Sequence, residues 1–297
     1  MASTSTARQD ARIKRSMRND RIATGVLTLI VGIVMLIVVS MVIYILAQGI
    51  GQLFQPGFLT EASRSNGTEG GIAYQLFDSF YLLILTLIIS LPISLGGAVF
   101  LVEYAPEGPV TKIASTAIET LSSLPSIVVG MFGFLMFSVN FGWGYSLISG
   151  AIALTMFNIP ILTRVIQQAL EDVPSSQRDA CLAMGLTRWE TTIHVLIPAA
   201  MPAIVTGVVL GGGAVLAGTQ LLHFYSSDAA ASPTCAWNIF RPGESLAVHI
   251  YKIYGEGSPE AQHIVWGTAA LLMICVLLFN VLSRIAGNAL ARRMTAE

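Results

Sequence analysis

The sequence has little charge for its length. Only 11% of the 297 residues are Asp, Glu, Lys or Arg, whereas 54% are hydrophobic and the mean hydropathy is +0.71. A soluble globular protein carries about a quarter charged residues. The charges are also clustered between long apolar runs, so the composition predicts an integral membrane protein with several spans.

The residues and motifs that usually carry chemistry are scarce as well. The three cysteines, Cys181, Cys235 and Cys275, are not placed to bridge in pairs, which excludes a disulfide framework. The four histidines are scattered, without metal-ligand spacing. None of the phosphate-loop GxxxxGK(S/T), nucleophile-elbow GxSxG or zinc HExxH motifs occurs. We therefore expect no enzyme, no catalytic residue and no metal or cofactor in this chain.

Long apolar runs are what the sequence does have. There are six, each about as long as the ~20 residues that a helix needs to cross the hydrocarbon core. None alternates as the strands of a membrane barrel do, so all are predicted to be helices. The runs are 22–47, 81–102, 113–139, 145–162, 196–225 and 264–285.

These runs predict an all-α membrane protein with six transmembrane helices. The predicted segments are a basic tail (1–21), a first transmembrane helix (22–47), an outer loop (48–78), a transmembrane core (79–287) and a second tail (288–297). Apart from Arg284 at the end of the last run, Glu119 is the one charge within the runs, and we expect it to reach back toward the interface.

The lysines and arginines predict the orientation. With the N-terminus inside, all but three of the 16 lie on the inner side, and the exceptions are Arg64, Arg241 and Lys252. Inner loops of membrane proteins carry such an excess of positive charge. Both termini and the polar segment 164–195 are therefore predicted to be cytoplasmic.

The polar segment from Pro174 to Pro198 is predicted to form a helical hairpin. Ser176 and Asp179 have the spacing of a capping box, which predicts a short helix over Gln177–Met184. Gly185 supplies the left-handed residue that ends helices. The hairpin is either an ordinary amphipathic loop helix or a surface that docks into a partner's groove.

A second capping box follows the glycine. Thr187 and Glu190 have its spacing, and they predict a new helix that continues into the fifth apolar run.

The sequence of this hairpin resembles the cytoplasmic signature loop of ABC importer permeases. That loop reads EAA, three residues, Gly, nine residues, then I-x-LP. In DACLAMGLTRWETTIHVLIP, Asp179, Ala180 and Cys181 occupy the EAA positions, Gly185 is the glycine, and Pro198 closes the motif. The resemblance implies the type I (MetI-like) permease fold with six transmembrane helices.

Other segments are similar to the phosphate-specific (Pst-type) permeases, particularly the A subunit. The similarity covers about residue 71 to the C-terminus. It is carried by FDSFYLLILTLIISLPISLGGAVFLVEYAP, LSSLPSIVVGMFGFLMF, NIPILTRVIQQALEDVP and FRPGESLAVHIYKI. The resemblance implies one of two permease subunits of a phosphate importer in the bacterial plasma (inner) membrane.

The resemblance also implies partners and residue roles. The expected partners are a second permease of the Pst C type, a pair of ATPase subunits that bind ATP and Mg, an extracytoplasmic phosphate-binding protein and membrane lipid, but no nucleic acid. The short helix would couple the chain to the ATPase. The residues expected to do so are Ser176, Asp179, Ala180, Cys181, Leu182, Met184, Gly185 and Arg188.

The fifth apolar run departs from the family pattern. Phosphate permeases carry G-R-x-x-G-E-T there, and the arginine and glutamate are thought to be needed for translocation. Here Ala214 and Gly218 stand at those two positions. The residues expected along the substrate pathway are Ser126, Ala214, Gly218, Thr219 and Gln220. Three hypotheses stay open: a phosphate importer subunit, a permease for another solute, and a membrane scaffold that still docks the ATPase.

Overall fold

The computed structural model describes residues 2–64, 69–105, 108–218, 237–256 and 259–294. Contacts within the chain divide it into an N-terminal unit up to residue 48 and a second unit from residue 49 onward.

The N-terminal unit is formed by one very long helix. Helix α1 spans Ala2–Leu53 and so extends beyond the predicted 22–47 on both sides. It begins within the predicted basic tail because arginine, alanine and methionine are good helix formers. No proline interrupts it. The described part from Asn19 to Leu53 is apolar and long enough to cross a membrane.

In the second unit, a short hairpin precedes helix α2. Strands β1 (Ser63–Arg64) and β2 (Glu69–Gly70) pair antiparallel. Helix α2 spans Ala73–Val99 and continues as one π-helical stretch over Phe100–Tyr104. It begins well before the predicted 81 because polar side chains of its first turns, such as those of Gln75 and Asp78, are buried against other parts of the chain.

The third predicted run is not one straight helix. Helices α3 (Pro109–Ser122) and α4 (Ser126–Gly133, then a π-helical stretch Phe134–Asn140) meet at a bend of 97°. Pro125 has no N–H and disfavours a helical residue before it, which explains the break. The third run, 113–139, is therefore a bent pair of helices. The described residues contain five helices that could cross a membrane, or six if this bent pair is one span.

Helices α5 and α8 form the centre of the bundle with α2. Helix α5 spans Leu147–Glu171 and is capped by Ser146, whose hydroxyl accepts from the N–H of Ser149. Its last residues occupy part of the predicted cytoplasmic loop 164–195. Helix α8 spans Ile197–Ala217.

Two apolar clusters hold the three helices together. One includes Leu82, Leu154 and Leu216, and the other includes Leu162 and Leu196. Each cluster draws buried side chains from α2, α5 and the α8 region, so the three helices are packed together at two levels along their length.

Glycines let α8 approach its neighbours closely. A Cβ at Gly207 would lie 2.6 Å from Cγ1 of Val165 in α5, and one at Gly211 would lie 2.8 Å from Oδ1 of Asn158. Small residues four apart in sequence allow such close approach between helices in a membrane.

The last helices complete the unit. Helix α9 (Leu246–Glu256) lies between the fifth and sixth predicted runs, in the stretch with Arg241 and Lys252 that the charges predict to be an outer loop, and helix α10 spans Pro259–Met294. The apolar run predicted to reach residue 225 ends as a helix at Ala217, and residues 219–236 lie outside the described part of the chain.

Candidate functional site

We call residues 174–198 the hairpin. Its first arm is helix α6. It spans Ser175–Ala183, and Pro174 occupies the N-cap position with extended ψ of 130°. The predicted capping box of Ser176 and Asp179 is therefore wrong. The helix already includes Ser176, because it begins at Ser175, directly after the rigid Pro174 and two residues before the predicted start, and no side chain caps it.

The end of α6 has the geometry predicted for Gly185. The glycine has φ of +88°, its N–H donates to the carbonyl of Leu182, and the N–H of Leu186 donates to that of Cys181. These two hydrogen bonds make a Schellman motif. A Cβ at Gly185 would meet nothing within 4 Å, so the backbone conformation alone demands glycine.

The second arm begins with the predicted capping box. The N–H of Glu190 donates to Oγ1 of Thr187 at 3.2 Å, and the N–H of Thr187 donates to Oε2 of Glu190 at 2.8 Å. Helix α7 (Arg188–Thr191) follows and continues through a π-helical stretch, Thr192–Leu196, into α8. The two cap motifs fix the shape of the hairpin tip.

The tip exposes apolar side chains. Met184 is 72% exposed and Trp189 59%, and Leu182 is also exposed. The other predicted coupling residues at the surface are Ser176, Asp179, Ala180, Gly185 and Arg188. Cys181 is buried, so it cannot belong to an exposed docking surface. Trp189 was missed, although a tryptophan in a polar segment is a usable signal.

One residue of the α2 region makes polar contacts with both arms of the hairpin. Glu103, in the π-helical stretch after α2, forms an ion pair with Arg178 of α6. Its main-chain carbonyl accepts a hydrogen bond from Nη1 of Arg188 at 3.4 Å. Sequence reasoning missed Glu103, because the residue lies just past the predicted second run.

The predicted substrate-pathway residues are only partly brought together. Ala214 lies exposed on α8, whereas Gly218 follows the end of that helix with ψ of 98°. Gly218 is the C-cap residue of α8, and a Cβ there would lie 3.1 Å from the carbonyl oxygen of Ala214, so the two positions are neighbours at the end of the helix. Ser126 is half-buried at the start of α4, and Thr219 and Gln220 lie outside the described residues.

A segment predicted as outer loop is instead anchored in the bundle. We call residues 237–249 the strap. Arg241 forms a bidentate ion pair with Asp78 of α2. Its Nη1 lies 3.2 Å from Oδ2, and its Nη2 contacts Oδ1. The N–H of Glu244 donates to Oδ2 of Asp78 at 3.2 Å, and the N–H of Leu246 donates to Oγ of Ser79 at 2.8 Å.

A second polar group lies beside this ion pair. Nδ1 of His249 is 3.2 Å from Oε2 of Glu244, and Nε2 of Gln75 donates to the same oxygen at 3.4 Å. Burial raises the pKa of Glu244, but the hydrogen bond and charge of His249, with help from Lys252 and Gln75, outweigh it and leave the pKa below its ordinary value.

The charges of this cluster indicate what it does. Two carboxylates, Asp78 and Glu244, face one guanidinium, Arg241, and one histidine. Buried charges are tolerated when they are paired and hydrogen-bonded. Because each carboxylate is already held by an ion pair or hydrogen bond from another segment, the cluster is suited to fixing the strap.

Comparison with known proteins identifies the family to which this chain belongs. Residues 91–296 match the family described as "Binding-protein-dependent transport system inner membrane component". The chain belongs to this family. It is 44% identical, over 94% of its length and 98% of the relative's, to the "Probable ABC transporter permease protein YqgI" of Bacillus subtilis (strain 168). It is 31% identical, over 81% of its length and 78% of the relative's, to the "Phosphate transport system permease protein PstA 2" of Mycobacterium tuberculosis (strain CDC 1551 / Oshkosh).

Solved structures share the fold at low sequence identity. An inward-facing MetNI methionine ABC transporter matches with a TM-score of 0.55 at 18% identity, covering 75% of this chain and 94% of that chain. A bacterial alginate ABC transporter matches with a TM-score of 0.59 at 14% identity, covering 83% of each. These matches confirm the predicted MetI-like permease fold.

The chain is thus a permease subunit of an ABC importer and an integral protein of the inner membrane. Its family supplies the membrane component of such importers and not the ATPase. Importers of this kind work with an ATPase and a solute-binding protein.

Proposed function

We propose that this chain is one of two permease subunits of an ATP-driven phosphate importer. The observation that carries the proposal is the 31% identity to a phosphate permease over 81% of the chain. The resemblance argued from the sequence includes FRPGESLAVHIYKI, the segment that folds into the strap and the start of α9. The partner in the membrane would be a second permease of the Pst C type, and a phosphate-binding protein would deliver the anion.

The hairpin is the surface proposed to dock the ATPase. Its tip is held by a Schellman motif and a capping box, so it keeps its shape without a partner. Leu182, Met184 and Trp189 form an exposed apolar patch on it. Exposed apolar patches rimmed by polar residues mark contact sites between proteins. ATP and Mg would be bound by the ATPase, whose closure would rock the two permeases.

A specific observation favours a second candidate, a permease for another or an uncharged solute. From Val195 to Gly218 the chain has no charged side chain, and the exposed side chain of Ala214 occupies the position of the family's arginine. Carrying phosphate through an uncharged low-dielectric passage is costly, and arginine is the usual remedy. Under the phosphate proposal the partner permease must therefore supply the cation.

Uptake of labelled phosphate tests the proposal. The chain is produced with its partner permease, ATPase and binding protein in a strain that lacks its own phosphate permeases. Energy-dependent uptake that excess unlabelled phosphate suppresses, and excess sulfate does not, is the expected result. Absence of phosphate uptake from a correctly assembled complex would favour the second candidate.

A further inference from the structure

Helix α2 carries charge only near its two ends. From Ala73 to Tyr104, including the π-helical stretch, Asp78 and Glu103 are the only charged residues. At the ~1.5 Å rise per residue of an α-helix, the stretch between them is about 37 Å long. A bilayer with its headgroups measures roughly 40–45 Å. Each charge therefore lies near one face of the membrane.

Both carboxylates are buried and held by an arginine from a different segment. The Asp78 side chain is 1% exposed and pairs with Arg241 of the strap. The Glu103 side chain is 6% exposed and pairs with Arg178 of the hairpin. Separating a buried pair leaves an uncompensated charge, so each arginine is expected to move together with its carboxylate.

At the hairpin end, Glu103 contacts both arms. Arg178 lies before the turn at Gly185 and Arg188 lies after it. A displacement of the hairpin as a unit therefore acts on Glu103 from both arms. The contact is made in a π-helical stretch, a feature that recurs at functional sites.

At the other end, the strap joins α2 to α5. The N–H of Leu147 donates to the carbonyl of Arg241 at 3.0 Å, and the N–H of Ile148 donates to that of Ile239 at 3.0 Å. Tyr81 of α2 also donates its hydroxyl to the carbonyl of Trp237 at 3.1 Å. A shift of α2 along its axis is thereby passed to the strap, which covers the first turns of both helices.

We propose that helix α2 transmits a displacement of the hairpin to the strap. Glu103 is the positioning residue through which the hairpin displaces α2. This inference rests on the proposed docking of an ATPase to the hairpin, but not on phosphate as the solute. Close-packed interiors are barely compressible, so a packed helix passes on displacement at its end. The hairpin is also continuous with α5 and α8, and the experiment must separate those covalent routes from the Glu103 contact.

Thiol labelling of the strap in the assembled importer provides that separation. Phe240, which is 54% exposed in the strap, is changed to cysteine in a Cys235→Ser background, while the native Cys181 and Cys275 are buried. The rate of reaction with a membrane-impermeant maleimide is measured without nucleotide and with ATP plus vanadate. With Glu103 unaltered, we expect trapped nucleotide to change the rate.

Substitutions at the ion pair between Glu103 and Arg178 test whether this contact is needed for the nucleotide-dependent change in labelling rate. Glu103→Gln is expected to abolish the nucleotide-dependent change in rate, and Glu103→Arg combined with Arg178→Glu is expected to restore it. Glu119→Gln is the matched control, because Glu119 pairs at 2.8 Å with Arg164 of α5 in an exposed bridge that does not involve the hairpin. It should leave the response intact.

Two results would overturn the proposal. One is a full nucleotide response in Glu103→Gln, and the other is no response in the chain with Glu103 unaltered. Copurification of the ATPase is checked for each variant. If Glu103→Gln does not assemble, the charge swap decides, because a swap that assembles without recovering the response also overturns the proposal. Failure of phosphate uptake alone would count against the proposed solute and leave this inference standing.

Discussion

The ion pair between Arg241 and Asp78 gives the sharpest stability prediction. The Asp78 side chain is 1% exposed and that of Arg241 11%. Arg241→Gln removes the charge that neutralises Asp78 and leaves its carboxylate with the N–H of Glu244 as a remaining donor. Breaking a buried pair by removing one partner costs about 3–5 kcal/mol of unfolding free energy.

The double variant separates a lost charge from a lost contact. Asp78→Asn with Arg241→Gln leaves no buried charge unpaired, so it should be less destabilised than Arg241→Gln alone. Arg164→Gln is the control, since its bridge to Glu119 has side chains 48% and 55% exposed and such pairs contribute about 0–1 kcal/mol.

Equilibrium unfolding measures these differences. The purified protein is unfolded in mixed micelles with increasing SDS, and helix content is followed by circular dichroism. A loss in Arg241→Gln no larger than in Arg164→Gln would refute the reasoning, because it would mean that the strap is not held by the buried charge.

Three further predictions follow from local geometry. Gly185→Val places a β-branched residue at φ of +88°, so it should cost roughly 1–2 kcal/mol locally and reduce copurification of the ATPase while the protein stays in the membrane. Normal copurification would contradict this. Gly207→Ala should destabilise the bundle by about 1–3 kcal/mol in the SDS assay because its Cβ overlaps a valine of α5, whereas Gly213→Ala, with open space at its Cβ, should not. In intact cells stripped of any outer envelope, and in a Cys235→Ser background, Tyr254→Cys on α9 should react with an impermeant thiol reagent and Met184→Cys on the hairpin should not, and the reverse would invert the predicted orientation.

Features set by neighbouring residues could be predicted from the sequence. The stop at Gly185 and the capping box of Thr187 and Glu190 depend on contacts within a few residues, and the structure confirms both. The cap predicted at Ser176 failed for an equally local reason, since Pro174 takes the N-cap position and the helix begins two residues earlier than predicted.

Features set by distant residues could not be predicted in this way. Asp78 and Arg241 are adjacent in space but widely separated in sequence, and Asp78 was assigned to a loop because it precedes the apolar run. Helix α9 was not predicted, because it is short and its polar neighbours interrupt the apolar pattern of its buried face.

The central claim is that solute delivered from outside by the binding protein stimulates ATP hydrolysis by the docked ATPase, and that this chain couples the two events. The most direct test is the ATPase rate of the purified assembly in lipid, measured with its binding protein loaded with phosphate, loaded with sulfate or empty. The account predicts stimulation by the phosphate-loaded protein alone and its loss in Gly185→Val. An ATPase rate that does not respond to phosphate, in an assembly that hydrolyses ATP, would contradict it.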